Sequence, residues 1–212
     1  MPKVSAAHKE ARYDQILEAA IACFAENGFH ETKMQDICRK SGLSAGAVYS
    51  YFRSKEEIIE ASSGRDARAR ARRYETARQQ SNSRDAMALL LQYVRQMTQA
   101  DSDTKMKYRV QLFGESVRNH SVREMQHTIR EDNLQNMQAI IRNGQEKGDI
   151  NPNLDSEALA RLCTAIGDGL WVQKIFHPDL DVDKYIDAVI AVFERGFWAD
   201  RPKEASRSEN RD

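Results

Sequence analysis

The 212-residue chain carries 32 Lys and Arg against 32 Asp and Glu, so its formal charge is zero. This balance argues against a uniformly basic coat protein, although segregated charges still allow nucleic-acid binding. Three scattered cysteines without a C-x-x-C pair suit a reducing compartment. The first residues lack the apolar stretch of a signal peptide, and no run approaches the ~18 apolar residues of a membrane span. We therefore expect a cytoplasmic protein with no membrane partner.

Helix-period apolar patterns run along most of the chain, and only 4 Pro and 10 Gly interrupt them. This pattern predicts an all-α fold. We expect an N-terminal three-helix helix-turn-helix domain with a polar arm over residues 1–54. A larger C-terminal helical regulatory and dimerisation domain should follow over residues 55–199. Residues 200–212 are polar, which predicts a disordered tail.

Apolar residues recur every three to four positions from Tyr13 to Phe24, which predicts a first helix. Gly28 can close that helix in a left-handed conformation. Thr32 and Gln35 have the spacing of a capping box, in which Thr32 would cap the second helix and Gln35 would reach back.

The stretch 33–51 has the spacing of a helix-turn-helix. Gly42 permits a tight turn, and Ser44 is expected to cap a third helix over residues 45–51 that is too short to be stable alone. The side chains expected to fill the angle between the two helices are Ile37, Leu43 and Val48. A fixed angle of this kind lets the second helix enter the major groove of DNA.

Further helices are predicted beyond this motif. Ser54 should cap a fourth helix running from Lys55 toward Gln80, and residues 81–83 should form a loop. Five more sets of apolar residues at helical spacing follow, with a break over residues 148–152.

The run of motifs around the turn resembles the N-terminal domain of the TetR family of bacterial repressors, over about residues 12–60. The segments that carry the resemblance are Gly28-Phe29-His30-Glu31-Thr32, Asp36-Ile37, Ser41-Gly42-Leu43-Ser44, Gly46, Tyr49-Ser50-Tyr51-Phe52 and Ser54-Lys55-Glu56-Glu57. It implies a homodimer that binds double-stranded DNA at a palindromic operator and is released by a small-molecule effector. The open alternative is a helix-turn-helix regulator controlled by a protein partner, or by no ligand.

The resemblance also implies roles for individual residues. Tyr49 and Tyr51 would contact phosphates, Phe52 would belong to the core, and Lys55 would meet a phosphate at a helix N-terminus. The residues expected to read bases are Ser44, Ala45, Gly46, Ala47 and Ser50. Further DNA contacts are expected from the turn and helix before them, at Thr32, Lys33 and Gln35, with Arg39 as a helper. The small side chains of residues 44–47 and 50 favour contacts with thymine methyl groups and recognition of DNA shape.

The C-terminal region has weaker signals. Methionines concentrate in residues 87–141, which suits either an adaptable ligand pocket or an ordinary core. The candidate ligand-binding residues are Tyr93, Met97, Phe113, Glu115, Met125 and Trp171. In the last two helices, small residues permit close helix packing and apolar residues occupy more than one side, which suggests a four-helix dimer interface or simple burial within the monomer. The candidate dimerisation residues are Ala165, Gly169, Val189 and Val192.

Five arginines lie close together on the predicted fourth helix: Arg65, Arg68, Arg70, Arg72 and Arg73. They predict a solvated, salt-bridged face, or alternatively a site for an anionic ligand. No P-loop, G-x-S-x-G or H-E-x-x-H motif occurs, and no metal-ligand spacing is present. We therefore expect neither an enzyme nor a cofactor or metal site. A rival hypothesis is an enzyme or small-molecule carrier with a vestigial helix-turn-helix.

Overall fold

The computed structural model describes residues 6–100 and 103–199, which form nine helices and confirm the all-α prediction. In chain order these are α1 (Ala6–Glu31), α2 (Met34–Ser41), α3 (Ala45–Tyr49), α4 (Lys55–Arg78), α5 (Ser83–Ala100), α6 (Asp103–Arg118), α7 (His120–Glu146), α8 (Ser156–Phe176) and α9 (Val182–Phe193). The predicted tail, residues 200–212, lies outside the described residues, as do the first five residues of the predicted arm.

The end of α1 departs from the predicted capping. Gly28 has φ 78° and ψ 170°, a break favouring glycine, after which one more helical turn follows. The Thr32 hydroxyl donates backward to the carbonyls of Gly28 (2.7 Å) and Cys23 (3.2 Å), so it does not cap α2. The carboxylate of Asp36 instead accepts the backbone N–H of Lys33 at 2.9 Å. The capping prediction was wrong because the N-cap of α2 is Lys33, one residue later than expected, and Asp36 rather than Gln35 occupies the third helical position.

Helix α1 begins at Ala6, seven residues before the predicted start at Tyr13, so the described part of the predicted arm is helical. The predicted boundaries around α2, α3 and α4 are confirmed more closely. Gly42 adopts the left-handed conformation (φ 67°) that ends α2. The hydroxyl of Ser44 accepts the N–H of Ala47 at 3.2 Å, and that of Ser54 accepts the N–H of Glu57 at 3.3 Å. Helix α3 ends at Tyr49, two residues earlier than predicted, and α4 ends two residues before Gln80.

A first core holds α1, α2, α3 and the start of α4 together. Its fully buried members are Ile16, Leu17, Ala20, Phe24, Ile37, Val48 and Ile58, with Phe52 nearly so. Tyr108 of α6 belongs to the same core: its ring lies 6.2 Å from that of Phe24, and its hydroxyl is 2.5 Å from the Ser62 hydroxyl of α4. The core therefore continues across residues 54 and 55, where the sequence predicted a domain boundary.

A second core packs α5, α7, α8 and α9 against the end of α4. At its far end, Gly144 of α7 allows close approach: a Cβ there would lie 2.6 Å from both Ile150 Cδ1 and Ser83 Oγ. Asp149 follows the Gly148 turn, and its carboxylate accepts the N–H of Ser83 at 3.0 Å. This end of the molecule is closely packed.

Candidate DNA-binding surface and internal cavity

The outer face of α2 and α3 presents most of the predicted DNA-binding residues. Tyr49 is 44% exposed, and Ala47 and Tyr51 are half-buried. The remaining exposed members are Lys33, Gln35, Arg39, Ser44, Ala45, Gly46 and Ser50. These predicted residues are thus exposed or half-buried on the helix-turn-helix, while Ile37 and Val48 of the same helices are completely buried.

The hydroxyls on α3 are already engaged with its backbone. Ser44 accepts from Ala47, as described above, and the Ser50 hydroxyl donates to the Ala47 carbonyl at 2.7 Å. Ser44 therefore retains its hydroxyl proton, and Ser50 retains acceptor lone pairs. Between them the surface offers only the methyl groups of Ala45 and Ala47 and the backbone of Gly46.

Thr32 and Lys55 make contacts that were not predicted for them. Thr32 is only 1% exposed, which excludes a side-chain contact with DNA. The ammonium of Lys55 donates to the carbonyls of Phe29, His30 (3.3 Å) and Thr32 (3.4 Å). Its three N–H donors are thereby all engaged, and the positive charge stabilises the end of α1. In this structure Lys55 therefore binds the end of α1, and its phosphate contact stays a prediction.

The two tyrosines of the motif differ in their surroundings. The Tyr51 ring packs 6.5 Å from that of Tyr13, which in turn lies 5.0 Å from the Phe52 ring. Tyr49 is more exposed and lies on the last turn of α3. Arg53, which was not among the predicted residues, is an exposed cation in the turn between α3 and α4, four residues after Tyr49. Its place between the recognition helix and the capped start of α4 was a signal that could have identified it.

The C-terminal region contains a cavity of about 620 Å³ among α4, α5, α6, α7 and α8. Four predicted ligand-binding residues line it: Tyr93, Met97, Phe113 and Trp171. The apolar part of the wall is completed by Leu90, Val94, Leu112, Ile129, Leu134 and Met137. This volume lies within the usual range of small-molecule sites.

Glu115 and Met125 are not part of the cavity wall. Glu115 is 8% exposed, and its carboxylate lies 3.2 Å from Nε2 of His30 at the end of α1. Met125 packs against the first core. The prediction failed here because α6 and α7 are two-sided: on each helix one face meets the cavity and another meets the N-terminal domain.

The cavity wall carries a surplus of basic residues, of which only some were predicted from the sequence. Six arginines and one histidine line it: Arg70, Arg73, Arg109, Arg123, Arg130, Arg161 and His127. Two carboxylates do so, Glu131 and Asp168. Arg70 and Arg73 belong to the arginine group noted in the sequence, and another member, Arg65, forms ion pairs with α1 at Asp14 (3.5 Å) and Glu18 (2.7 Å). One member of the group is therefore salt-bridged, as the first alternative predicted, and two members line the cavity, where the second alternative would place an anionic ligand.

Burial affects two ionisable side chains of the cavity wall, Tyr74 and Cys163. Burial raises the pKa of Tyr74 to about 12, and it raises that of the Cys163 thiol to about 12. Over residues 6–100 and 103–199, no group of three or more His, Cys, Asp or Glu is placed to hold a metal ion. Within the same ranges, no helix is long and apolar enough to cross a membrane.

Helices α8 and α9 expose large apolar side chains. These are Leu162 and Phe176 on α8, at 50% and 73% exposure, and Ile190 and Val192 on α9, at 42% and 69%. Of the predicted dimerisation residues, Val192 is on this surface and Gly169 is half-buried. Ala165 lines the cavity, and Val189 packs against the second core of its own chain. Val189 therefore agrees with the alternative prediction, in which these residues are buried within the monomer.

A helix-turn-helix on a small three-helix core, joined to a helical body that contains a partly open cavity, defines a class of DNA-binding transcriptional regulator. Residues 16–62 match the family model described as bacterial regulatory proteins, tetR family, and residues 86–195 match that of the BetI-type transcriptional repressor, C-terminal. The chain belongs to the TetR family of bacterial transcriptional regulators.

A curated relative and two solved structures show the same likeness. The HTH-type transcriptional regulator UidR of Escherichia coli K12 is 31% identical over 152 residues, which cover 70% of this chain and 74% of UidR. A transcriptional regulator from Saccharomonospora viridis in complex with choline has a TM-score of 0.73 at 24% identity, covering 90% of this chain and 99% of that one. FadR from Bacillus subtilis in complex with stearoyl-CoA has a TM-score of 0.75 at 21% identity, covering 87% and 99%.

Proposed function

We propose that the chain is a dimeric repressor that binds a palindromic operator and is released when a small molecule occupies the cavity. The observation that carries this proposal is the two-sided packing of α6. Leu112, Phe113 and Ser116 line the cavity, whereas Tyr108 and Glu115 of the same helix pack against the N-terminal domain. A molecule that displaces α6 must therefore also act on the DNA-binding domain.

On the DNA side, we assign α3 to the major groove and Tyr49 to a phosphate. The phosphate contact expected of Lys55 is assigned to Arg53, because Arg53 is exposed whereas Lys55 is held by three carbonyls. Base discrimination would come from the Ser44 and Ser50 hydroxyls, the alanine methyl groups and the shape of the groove.

On the dimer side, we assign the exposed apolar residues of α8 and α9 to a four-helix interface between two subunits. Phe176 and Val192 are too exposed to contribute to the monomer's stability, and they lie on the two helices at the C-terminal end of the chain. A two-fold dimer would present two α3 helices to successive major grooves, ~34 Å apart along one face of DNA.

Two helices transmit the effect of the ligand. Helix α4 begins beside the end of α1, where Lys55 is bonded, and its later residues Arg70, Arg73 and Tyr74 line the cavity. Helix α6 holds the end of α1 through the contact between Glu115 and His30. A ligand that favours the displaced arrangement by a few kcal/mol would lower operator affinity ~10²-fold, and by reciprocity the operator would weaken ligand binding equally.

The test uses a substitution that fills the cavity in place of a ligand. Gly167→Trp should lower affinity for a duplex selected from random DNA by about tenfold or more, since Gly167 lines the cavity and a Cβ there would lie 3.7 Å from Val94 Cγ2, which directs the indole into the space among α4 to α8. Ala139→Trp is the matched control, because Ala139 is exposed on α7 and does not line the cavity. Gel-shift titration measures both variants. Equal affinity of the two variants, with α-helicity retained, would refute release through the cavity.

The selected duplex also tests the symmetry of the complex. A dimeric reader should select two inverted half-sites separated by a whole number of helical turns. A single unrepeated site, bound by one chain, would overturn both the palindromic operator and the assigned dimer.

A further inference from the structure

The charges on the cavity wall are unequal after local pairing is taken into account. Arg130 is bonded to Asp168 at 2.8 Å, and Arg161 to Glu157 of its own helix at 2.8 Å. The Arg123 guanidinium donates to the backbone carbonyls of Ser116 (3.0 Å) and Val117 (2.6 Å), and no carboxylate among the described residues forms an ion pair with it. Because Asp168 is paired with Arg130, Glu131 is the carboxylate of the wall that remains to balance the other cations.

Arg70 and Arg73 stand out among the remaining cations. They lie three residues apart on α4, so their side chains project from the same side of the helix, and both line the cavity half-buried. The Arg73 guanidinium carbon sits 3.4 Å from the centroid of the Tyr93 ring, which holds the guanidinium plane against the wall. In the part of the chain that the structure describes, no carboxylate forms an ion pair with either guanidinium.

The rest of the wall is suited to a hydrocarbon. Val94, Met97 and Trp171 line the cavity beside the two arginines, together with the apolar residues named above. Methionine and aromatic side chains adapt to flexible apolar molecules. A small inorganic anion would leave most of the 620 Å³ unfilled, and a neutral hydrocarbon would leave the guanidinium groups without a partner.

We propose that the effector is an anionic amphiphile, with its anionic group held by Arg70 and Arg73 and its apolar part packed against Met97 and Trp171. This inference rests on the proposed function, because it names the chemical class of the ligand for the same cavity. The two structural neighbours hold choline, a cation, and stearoyl-CoA, an anionic thioester, so the shared fold does not define the charge of the ligand. In this chain the guanidinium groups favour an anion and disfavour a cation.

The binding test varies only the head group on a constant ten-carbon chain. Decanoate, decanoyl-CoA, decanol and decyltrimethylammonium are titrated into the full-length protein below their micelle concentrations, with calorimetry and tryptophan fluorescence as readouts. We expect the anions to bind about tenfold or more tightly than decanol, because charge-assisted hydrogen bonds are stronger than neutral ones. The cation should bind weakest. Comparison of decanoate with decanoyl-CoA separates a free carboxylate from an acyl thioester as the source.

Matched variants locate the anion. The double variant Arg70→Gln with Arg73→Gln should lose most of the tenfold preference for decanoate over decanol, while its affinity for decanol stays nearly unchanged. Replacing both residues by Lys should retain part of the preference, since the charge remains. Arg68→Gln is the control, because Arg68 lies on the same helix but not on this cavity wall. Far-UV circular dichroism verifies that each variant is folded.

Three results would overturn the proposal: decanol or the cation binding as tightly as the anions, a preference that survives in the double Gln variant, or no binding by any member of the series. These measurements use protein without DNA, so their outcome does not depend on whether the ligand releases the operator. An anion that binds through Arg70 and Arg73 but leaves operator affinity unchanged would sustain the ligand class and refute release through the cavity.

Discussion

The N-terminal and C-terminal parts of the molecule are built from the same kind of helix but packed differently. Around α2 and α3, Ile37 and Val48 are completely buried, and the helices are short with defined caps. The C-terminal part contains a partly open cavity of about 620 Å³ and exposes Phe176 and Val192. A part that must hold one angle between two helices is closely packed, whereas a part proposed to bind a ligand and a second subunit retains unfilled space and unpartnered surface.

The exposed apolar surface offers the largest expected effect. Val192→Asp should weaken the dimer by at least about a hundredfold, since an unpaired carboxylate from each subunit would lose its hydration at a cost of several kcal/mol. Val117→Asp is a close control, because Val117 on α6 is 63% exposed against 69% for Val192. Light scattering over a dilution series measures both. If the two variants dissociate equally, or the unaltered chain is monomeric, the assigned interface is wrong.

Large-to-small substitutions compare the packing of the two parts directly. Ile37→Ala should lower the free energy of unfolding by about 2–5 kcal/mol, because the void under the recognition helix has no solvent to fill it. Met97→Ala should cost about 1 kcal/mol or less, because this half-buried side chain already borders open space. Urea unfolding followed by circular dichroism gives both values. Similar losses would show that the cavity is not open in solution.

Two neighbouring cations should differ in how they affect DNA binding. Arg53→Ala should lower affinity for all duplexes by roughly tenfold and reduce the slope of log affinity against log salt by about 0.9 per contact. Lys55→Ala should leave this slope unchanged and instead destabilise the end of α1 by about 1 kcal/mol. Fluorescence anisotropy at several salt concentrations separates them. A shallower slope for Lys55→Ala alone would restore the role first expected for that residue.

The smallest effect concerns the compact end of the second core. The hydrogen bond from the Ser83 N–H lowers the pKa of the Asp149 carboxyl from its ordinary value. Its contribution to stability is therefore present above the unfolded pKa of about 3.9 and is lost as the pH falls through the lower folded value. Asp149→Asn should make unfolding midpoints less dependent on pH in this acidic range. Thermal scans of the two proteins, superimposable at every pH, would contradict this.

The sequence predicted the N-terminal fold well because local signals specify it. Ser44 and Ser54 cap their helices and Gly42 ends α2, all through interactions within a few residues. The carbonyl contacts of Lys55 could not be predicted, because its partners lie 23 to 26 residues earlier, beyond any local pattern. In the sequence, a lysine that binds phosphate and a lysine that binds the end of another helix cannot be distinguished at this position.

The cavity was predictable only in outline. Tyr93, Met97, Phe113 and Trp171 were identified by residue type, but their meeting depends on how five helices pack. Glu115 was misplaced because a helical pattern does not reveal which of two packed faces a polar residue occupies. The group of basic side chains on the wall comes from α4, α6, α7 and α8, so only its α4 members formed a visible cluster in the sequence.

Tyr108 has a consequence for building chimeric regulators. It comes from α6, yet its ring packs 6.2 Å from Phe24 and 6.0 Å from Phe29, and Leu112 and Met125 lie against the same cluster. A fragment cut after residue 54 would leave two aromatic rings facing water, a surface prone to aggregation. The DNA-reading part is thus not a portable module. Transplanting it onto another regulator requires an aromatic side chain from the recipient at the position of Tyr108, with Ser62 retained at 2.5 Å from its hydroxyl.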